Sequence, residues 1–125
     1  MYLLDTCALI WLLSNYSLLS EKSRSAIESA EIAYVSITSL WEIAIKQGNG
    51  KLNFQKSICE IAEICEQANI EILYPTPLVL DMVQNLPKIH GDPFDRLIIA
   101  QSQAANLTII TNDTFIPQYN VQTIW

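Results

Sequence analysis

Residues 90–113 read HGDPFDRLIIAQSQAANLTIITND. Asp92 followed by Pro93 marks a helix start. The carboxylate can accept the free N–H groups of a first turn, and proline at the first helical position has no N–H to leave unpaired. The pattern predicts a helix from Pro93 to about Ala105. The apolar run over 107–110 predicts a fourth strand, and Thr111-Asn112-Asp113 follows it as a turn bearing a carboxylate. A helix that feeds straight into an apolar strand is the second half of a crossover between parallel strands.

The same alternation continues outward. Residues 2–4 form a short apolar run that meets Asp5, and residues 8–13 continue as an apolar helix. Ser20 caps a second helix, with Glu21 in its positive first turn. The β-branched run 32–37 predicts the second strand. Ser39-Leu40-Trp41-Glu42 fits the capping box S-x-x-E, predicting a helix from there through Lys46 that Gly48-Asn49-Gly50 ends. Residues 57–69 carry apolar side chains three and four apart, an amphipathic helix. A third strand over 70–74 precedes Thr76-Pro77, a second cap-then-proline signal for a helix to Asn85. Residues 87–91 read as a loop, and 121–124 as a fifth short strand. Apolar strands separated by helices predict an α/β fold: a parallel sheet of four to five strands with helices on both faces.

The chain has 125 residues, enough for one domain over 1–125, since two would need roughly 200. Half of it is hydrophobic and 16% charged, which excludes a disordered acidic tail. Acids outnumber bases 13 to 7, for a net charge of −6. That balance argues against a general phosphate binder, which would carry a basic patch. The longest apolar run, 7–13, is far short of the ~18 residues a membrane span needs, and no basic segment precedes it. Cys7, Cys59 and Cys65 have no zinc-ligand spacing and read as reduced, half-buried thiols of a cytoplasmic protein.

Four carboxylates fall at one edge of the predicted sheet. Asp5 follows the first strand, Glu42 opens the helix after the second, and Asp113 lies just beyond the fourth. Asp95 opens a helix that must start near the same edge to run back into a strand. In open parallel sheets, ligands bind outside the carboxyl ends of the strands. Four carboxylates side by side raise one another's pKa unless a cation joins them. An all-oxygen set without a His or Cys cluster favours Mg²⁺, with Mn²⁺ as the other candidate. Such a site suits hydrolysis of a phosphodiester by activated water. The plainer alternative is that each acid caps a turn or helix, where Ser, Thr or Asn would serve as well.

At these residues the chain resembles the PIN-domain nucleases, in particular the VapC-like toxin ribonucleases of type II toxin–antitoxin pairs. The matching stretches are LLDTCALIW over 3–11, ITSLWEIAIKQGNGKL over 37–52, HGDPFDRLIIAQSQ over 90–103, IITND over 109–113 and YNVQTIW over 119–125. The resemblance covers nearly the whole chain in order. It implies a three-layer α/β/α sandwich with an acidic Mg²⁺ pocket formed by Asp5, Glu42, Asp95 and Asp113. Asp95 takes the third place because it directly precedes the apolar helix, and Asp92 then caps that helix; the reverse assignment, with Asp92 as the third acid, is the alternative. The resemblance further implies an RNA substrate, a cognate antitoxin protein and a homodimer. Cys7 stands where the subgroup often has His, at a position that is not a ligand in the family pattern.

Other residues near the acids have two readings each. Thr6 and Thr111 could bind a ligand water or phosphate, or simply cap turns. Arg96 could grip a substrate phosphate or pair with Asp92. Lys46, four residues after Glu42, could orient that carboxylate. His90 reads as a loop hydrogen-bond partner, and Trp11, Trp41 and Trp125 as core or dimer-contact residues. Two rival functions remain. A phosphoacceptor receiver domain would need paired acids after the first strand and a Lys after residue 107, and neither is present. A catalytically silent PIN-like domain that only binds a partner is the other. With four acids set aside for one pocket, nine acids face seven bases, so the rest of the chain is close to neutral.

Overall fold

The computed structural model describes residues 1–125. Its elements run β1 (Tyr2–Leu4), α1 (Thr6–Ser14), α2 (Glu21–Ser29), β2 (Ala33–Ser36), α3 (Ile37–Gly48), α4 (Ile58–Gln67), β3 (Ile70–Leu73), α5 (Pro77–Gln84), α6 (Pro93–Ala105), β4 (Thr108–Ile110) and β5 (Thr123–Ile124). The five strands form one parallel sheet in the order β3-β2-β1-β4-β5. Leu4 is level with Val35 of β2 and with Ile110 of β4.

Successive strand side chains point to opposite faces, and the two halves of the core follow from that. Leu4, Val35 and Ile110 join Leu9 of α1, Ala26 of α2, Leu40 and Ile43 of α3, and Ile61 and Cys65 of α4. Their neighbours Leu3 and Ile109 join Val79 of α5 and Ile98, Ile99 and Ala100 of α6. The sheet is therefore covered on both faces, the three layers that its apolar strands require. No helix is long and apolar enough to cross a membrane.

Several local expectations change, among them the strand bounds, with β3 ending at Leu73, β4 starting at Thr108 and β5 at Thr123. The second strand ends at Ser36, not 37, and α3 starts at Ile37 instead of Ser39. The Ser36 hydroxyl accepts the Thr38 N–H at 3.1 Å, so Ser36 is the cap. Ser39 is buried inside the helix and accepts a hydrogen bond from the Thr6 hydroxyl at 3.0 Å. Its S-x-x-E match is thus coincidental. The reciprocal capping box forms instead at Ser57 and Glu60, at the start of α4. Second, the cysteines are free but not alike: Cys65 is buried, while Cys7 and Cys59 are exposed. Third, Trp11 and Trp125 pack edge to face, 5.4 Å apart, against the α1–α4 core. Trp41, however, is 62% exposed and lies outside that core, its ring 5.3 Å from Phe94, so of its two readings only the dimer contact is left.

Candidate functional site

In the strand order, the chain leaves central β1 toward β2 and β3, then returns on its other side to β4 and β5. That reversal opens a crevice at the carboxyl edge between β1 and β4. The register sets Asp5, Ser36 and Thr111 one step beyond the aligned residues Leu4, Val35 and Ile110. A pocket of about 280 Å³ lies at this edge. Asp5, Glu42, Asp92, Asp95 and Asp113 line it, with Lys46 as the only cation.

Asp5 is 4% exposed and is both a cap and a pocket acid. Its backbone N–H continues the ladder to the Ile110 carbonyl at 3.1 Å. One carboxylate oxygen accepts the Ala8 N–H at 2.8 Å, which starts α1 at Thr6 instead of Ala8. The other accepts the Thr111 hydroxyl at 2.5 Å. Burial pushes the Asp5 carboxyl up to about 6, against those two hydrogen bonds, and the charges of Asp113 and Glu42 add to the rise.

Glu42 is 8% exposed. Because α3 starts at Ile37, it occupies the second turn, not the first. The Lys46 ammonium lies 2.9 Å from its Oε2, an i,i+4 pair that orients the carboxylate. Asp92 caps α6, accepting the N–H groups of Phe94 at 2.9 Å and Asp95 at 3.1 Å. Asp95, in the first turn of α6, faces the His90 ring, with Nε2 3.2 Å from its Oδ2. Burial pushes the Asp95 carboxyl up to about 6. The His90 hydrogen bond opposes this, and Asp92, Asp113 and Asp5 reinforce it. Asp113 Oδ2 accepts the N–H groups of Phe115 and Ile116 at 2.7 and 2.9 Å. Its own N–H donates to Thr111 at 3.0 Å.

Thr6 and Thr111 therefore serve as braces inside the site. Thr6 ties α1 to α3 through Ser39, and Thr111 ties Asp5 to the Asp113 turn. Arg96 departs from both of its sequence readings. It neither reaches the pocket nor pairs with Asp92. Its Nη1 donates to the Pro87 carbonyl at 2.8 Å and the Tyr119 hydroxyl at 3.1 Å, and its Nη2 to the Val83 and Leu86 carbonyls, both at 3.3 Å. The guanidinium thus closes the C-terminal end of α5. Lys has no planar fork to span four such acceptors, so Arg96→Lys is expected to cost about 1–3 kcal/mol of stability, read by urea denaturation.

One feature escaped the sequence reading. His90 Nε2 gathers with carboxylate oxygens of Asp95 and Asp113, the three ligand-type atoms within 4.8 Å of one another. Phe115 and Tyr119 hold its ring there.

Residues 2–121 match the PIN domain. The chain belongs to the PIN domain family. No curated protein sequence matches it. Among solved structures, this PIN domain superposes on VapBC2 from Rickettsia felis bound to a DNA fragment from its promoter. The TM-score is 0.72 at 15% identity, over 98% of this chain and 96% of that one. VapBC-1 from nontypeable Haemophilus influenzae gives 0.70 at 21% identity, over 98% and 96%. FitAcB from Neisseria gonorrhoeae gives 0.64 at 21%, over 100% and 97%. At these identities the likeness is one of fold.

Proposed function

We propose that this PIN domain is a Mg²⁺-dependent endoribonuclease that acts in the cytoplasm as the toxin of a toxin–antitoxin pair. The observation that carries the reading is the convergence of Asp5, Glu42, Asp95 and Asp113 on one pocket at the carboxyl edge of the sheet. They come from four separate segments, so independent capping does not account for their meeting.

The donor set fits a hard divalent cation. The pocket offers carboxylate oxygens in excess of its single ammonium, and burial raises two of the carboxyls to about 6. The first fact describes a site short of positive charge, and the second a site where an ionised carboxylate is poorly solvated. Asp5, Glu42, Asp95 and Asp113 would hold Mg²⁺, with Mn²⁺ a substitute of the same ligand preference. When bound, such an ion acidifies a water and offsets charge on phosphodiester oxygens.

The chain's own groups set the rest. Asp5 is fixed from two sides and cannot swing. Asp113 Oδ2 accepts two backbone N–H groups and Asp95 Oδ2 faces His90, so the second oxygen of each is free of these contacts. Lys46 is the one cation in place to meet a phosphate. Cys7 is exposed as a residue, but its thiol lines the pocket, where partial desolvation, reinforced by the Asp5 charge, pushes it up to about 11. It stays protonated near neutral pH, so water is the better nucleophile.

The antitoxin, the homodimer and the RNA substrate rest on the VapC-like motifs. Co-expression with the neighbouring reading frame should give a stable complex in pull-down. Calorimetric titration with Mg²⁺, run beside an RNA cleavage assay, tests the catalytic reading. Saturable binding with Mg²⁺-dependent cleavage is expected, whereas a silent partner-binding domain would show neither.

A further inference from the structure

The loop between α5 and α6 sets the chain's one histidine against the acidic pocket. The His90 ring stacks on Phe115, with centroids 5.0 Å apart and planes 10° from parallel. It also meets Tyr119 edge to face at 5.4 Å. Its side chain is only 9% exposed. Nε2 lies 3.2 Å from Asp95 Oδ2, and Nδ1 lies 2.7 Å from the Tyr119 hydroxyl.

Counting donors and acceptors assigns the ring proton. A tyrosine hydroxyl has one proton to give and two lone pairs to accept with. Arg96 Nη1 donates to it at 3.1 Å and the His90 backbone N–H at 3.3 Å, which occupies both lone pairs. Its proton goes to His90 Nδ1 at 2.7 Å, in preference to the His90 carbonyl at 3.5 Å. Nδ1 is therefore the acceptor, and the ring proton sits on Nε2, facing Asp95.

We propose that His90 is a positioning residue for Asp95, and that Tyr119 and Arg96 lock its ring in the Nε2–H tautomer that this requires. Arg96, Tyr119 and His90 then form a line of donors, each giving to the next and the last to Asp95 Oδ2. The line ties back one carboxylate oxygen and leaves the other for the pocket. The proposal rests on the reading of Asp95 as a pocket acid. Partners that hold a metal-binding carboxylate from behind are typically worth about 10- to 100-fold in metal affinity or activity.

Because the chain has a single histidine, the ¹⁵N imidazole spectrum reports His90 alone. At a pH where the ring carries one proton, the spectrum should show Nε2 protonated and Nδ1 bare. Tyr119→Phe removes the donor to Nδ1 and should lower the share of this tautomer, the Asp95 acceptor still favouring it. His90→Phe keeps a stacking ring and loses the donor. It should weaken Mg²⁺ binding by about 10- to 100-fold in calorimetry and lower kcat, with KM for RNA near wild type. His90→Gln, whose amide N–H can reach Asp95, should restore most of both. An Nδ1–H tautomer in the wild type overturns the proposal. So does a His90→Phe variant that is merely less heat-stable, with unchanged Mg²⁺ affinity and kcat. If the wild type binds no Mg²⁺, the functional reading fails, while the tautomer and its response to Asp95→Asn still decide the His90–Asp95 contact.

Discussion

Asp5→Asn is expected to abolish RNA cleavage and, at the same time, to make the metal-free protein more resistant to heat at about pH 7.5. The two effects share one cause. Asp5 sits 4% exposed with other acids around it, and its carboxyl rises from 3.8 to about 6. Holding it ionised in the folded, metal-free chain costs on the order of 3 kcal/mol, at about 1.4 kcal/mol per unit. The Asn side-chain oxygen can still accept the Ala8 N–H, so α1 keeps its cap. The amide nitrogen then faces Thr111, whose hydroxyl must turn, and this reduces the gain to about 1–2 kcal/mol. For a chain of this size, that is roughly 3–10 °C in Tm. Melting in EDTA and cleavage with Mg²⁺ check the two halves separately. A variant that cleaves like the wild type contradicts the role of Asp5. A variant that melts several degrees lower contradicts the electrostatics.

The second large effect is on pH. Without divalent ions, stability should fall as pH rises from about 4 to about 7. Both Asp5 and Asp95 have folded values near 6 against 3.8 as the ordinary value. Between those values the folded chain holds protons that the unfolded chain has released, so raising the pH favours unfolding. The loss begins above about pH 4 and is complete once both groups ionise, above about pH 7. Asp5 contributes up to about 3 kcal/mol, and Asp95 less, because it is only partly buried and solvent screens it. Mg²⁺ should reverse the trend above pH 6. At a free concentration a hundred times its Kd it adds about 2.7 kcal/mol. Melting curves across this pH range, with EDTA and with Mg²⁺, measure both arms. A metal-free protein whose stability rises steadily from pH 4 to 7 would show that the acids do not crowd one another.

The parts legible in the sequence are those where an apolar run ends on a charge. Leu3-Leu4-Asp5 and Ile109-Ile110-Thr111-Asn112-Asp113 each bury a strand and leave a carboxylate at its end. Asp92-Pro93 placed α6 for the same kind of local reason, and its capping hydrogen bonds are present. The misreadings arise where local signals compete. Ser36 and Ser39 are three residues apart, both followed by helix-compatible residues, so pattern alone does not choose the cap. The choice fell to burial: Ser39 faces Thr6 across α1 and α3. Arg96 adjoins Asp95 in sequence, but consecutive helical residues diverge by about 100°, and the guanidinium turns to α5 instead. His90 meets Tyr119 across 29 positions and Asp95 across a loop. No periodicity signals such contacts, since they exist only once α6 and the 3₁₀ turn Ile116–Gln118 have packed on the sheet.

The central claim is that the acidic pocket hydrolyses RNA with a divalent ion and an activated water. End-group analysis of RNA cut by the purified protein tests it most directly. Attack by water leaves no cyclic product, so the account predicts Mg²⁺-dependent fragments with a linear phosphate on one side of each cut and a hydroxyl on the other, none with EDTA, and none from Asp5→Asn. Fragments ending in 2′,3′-cyclic phosphate, or cleavage that persists in EDTA, would contradict it.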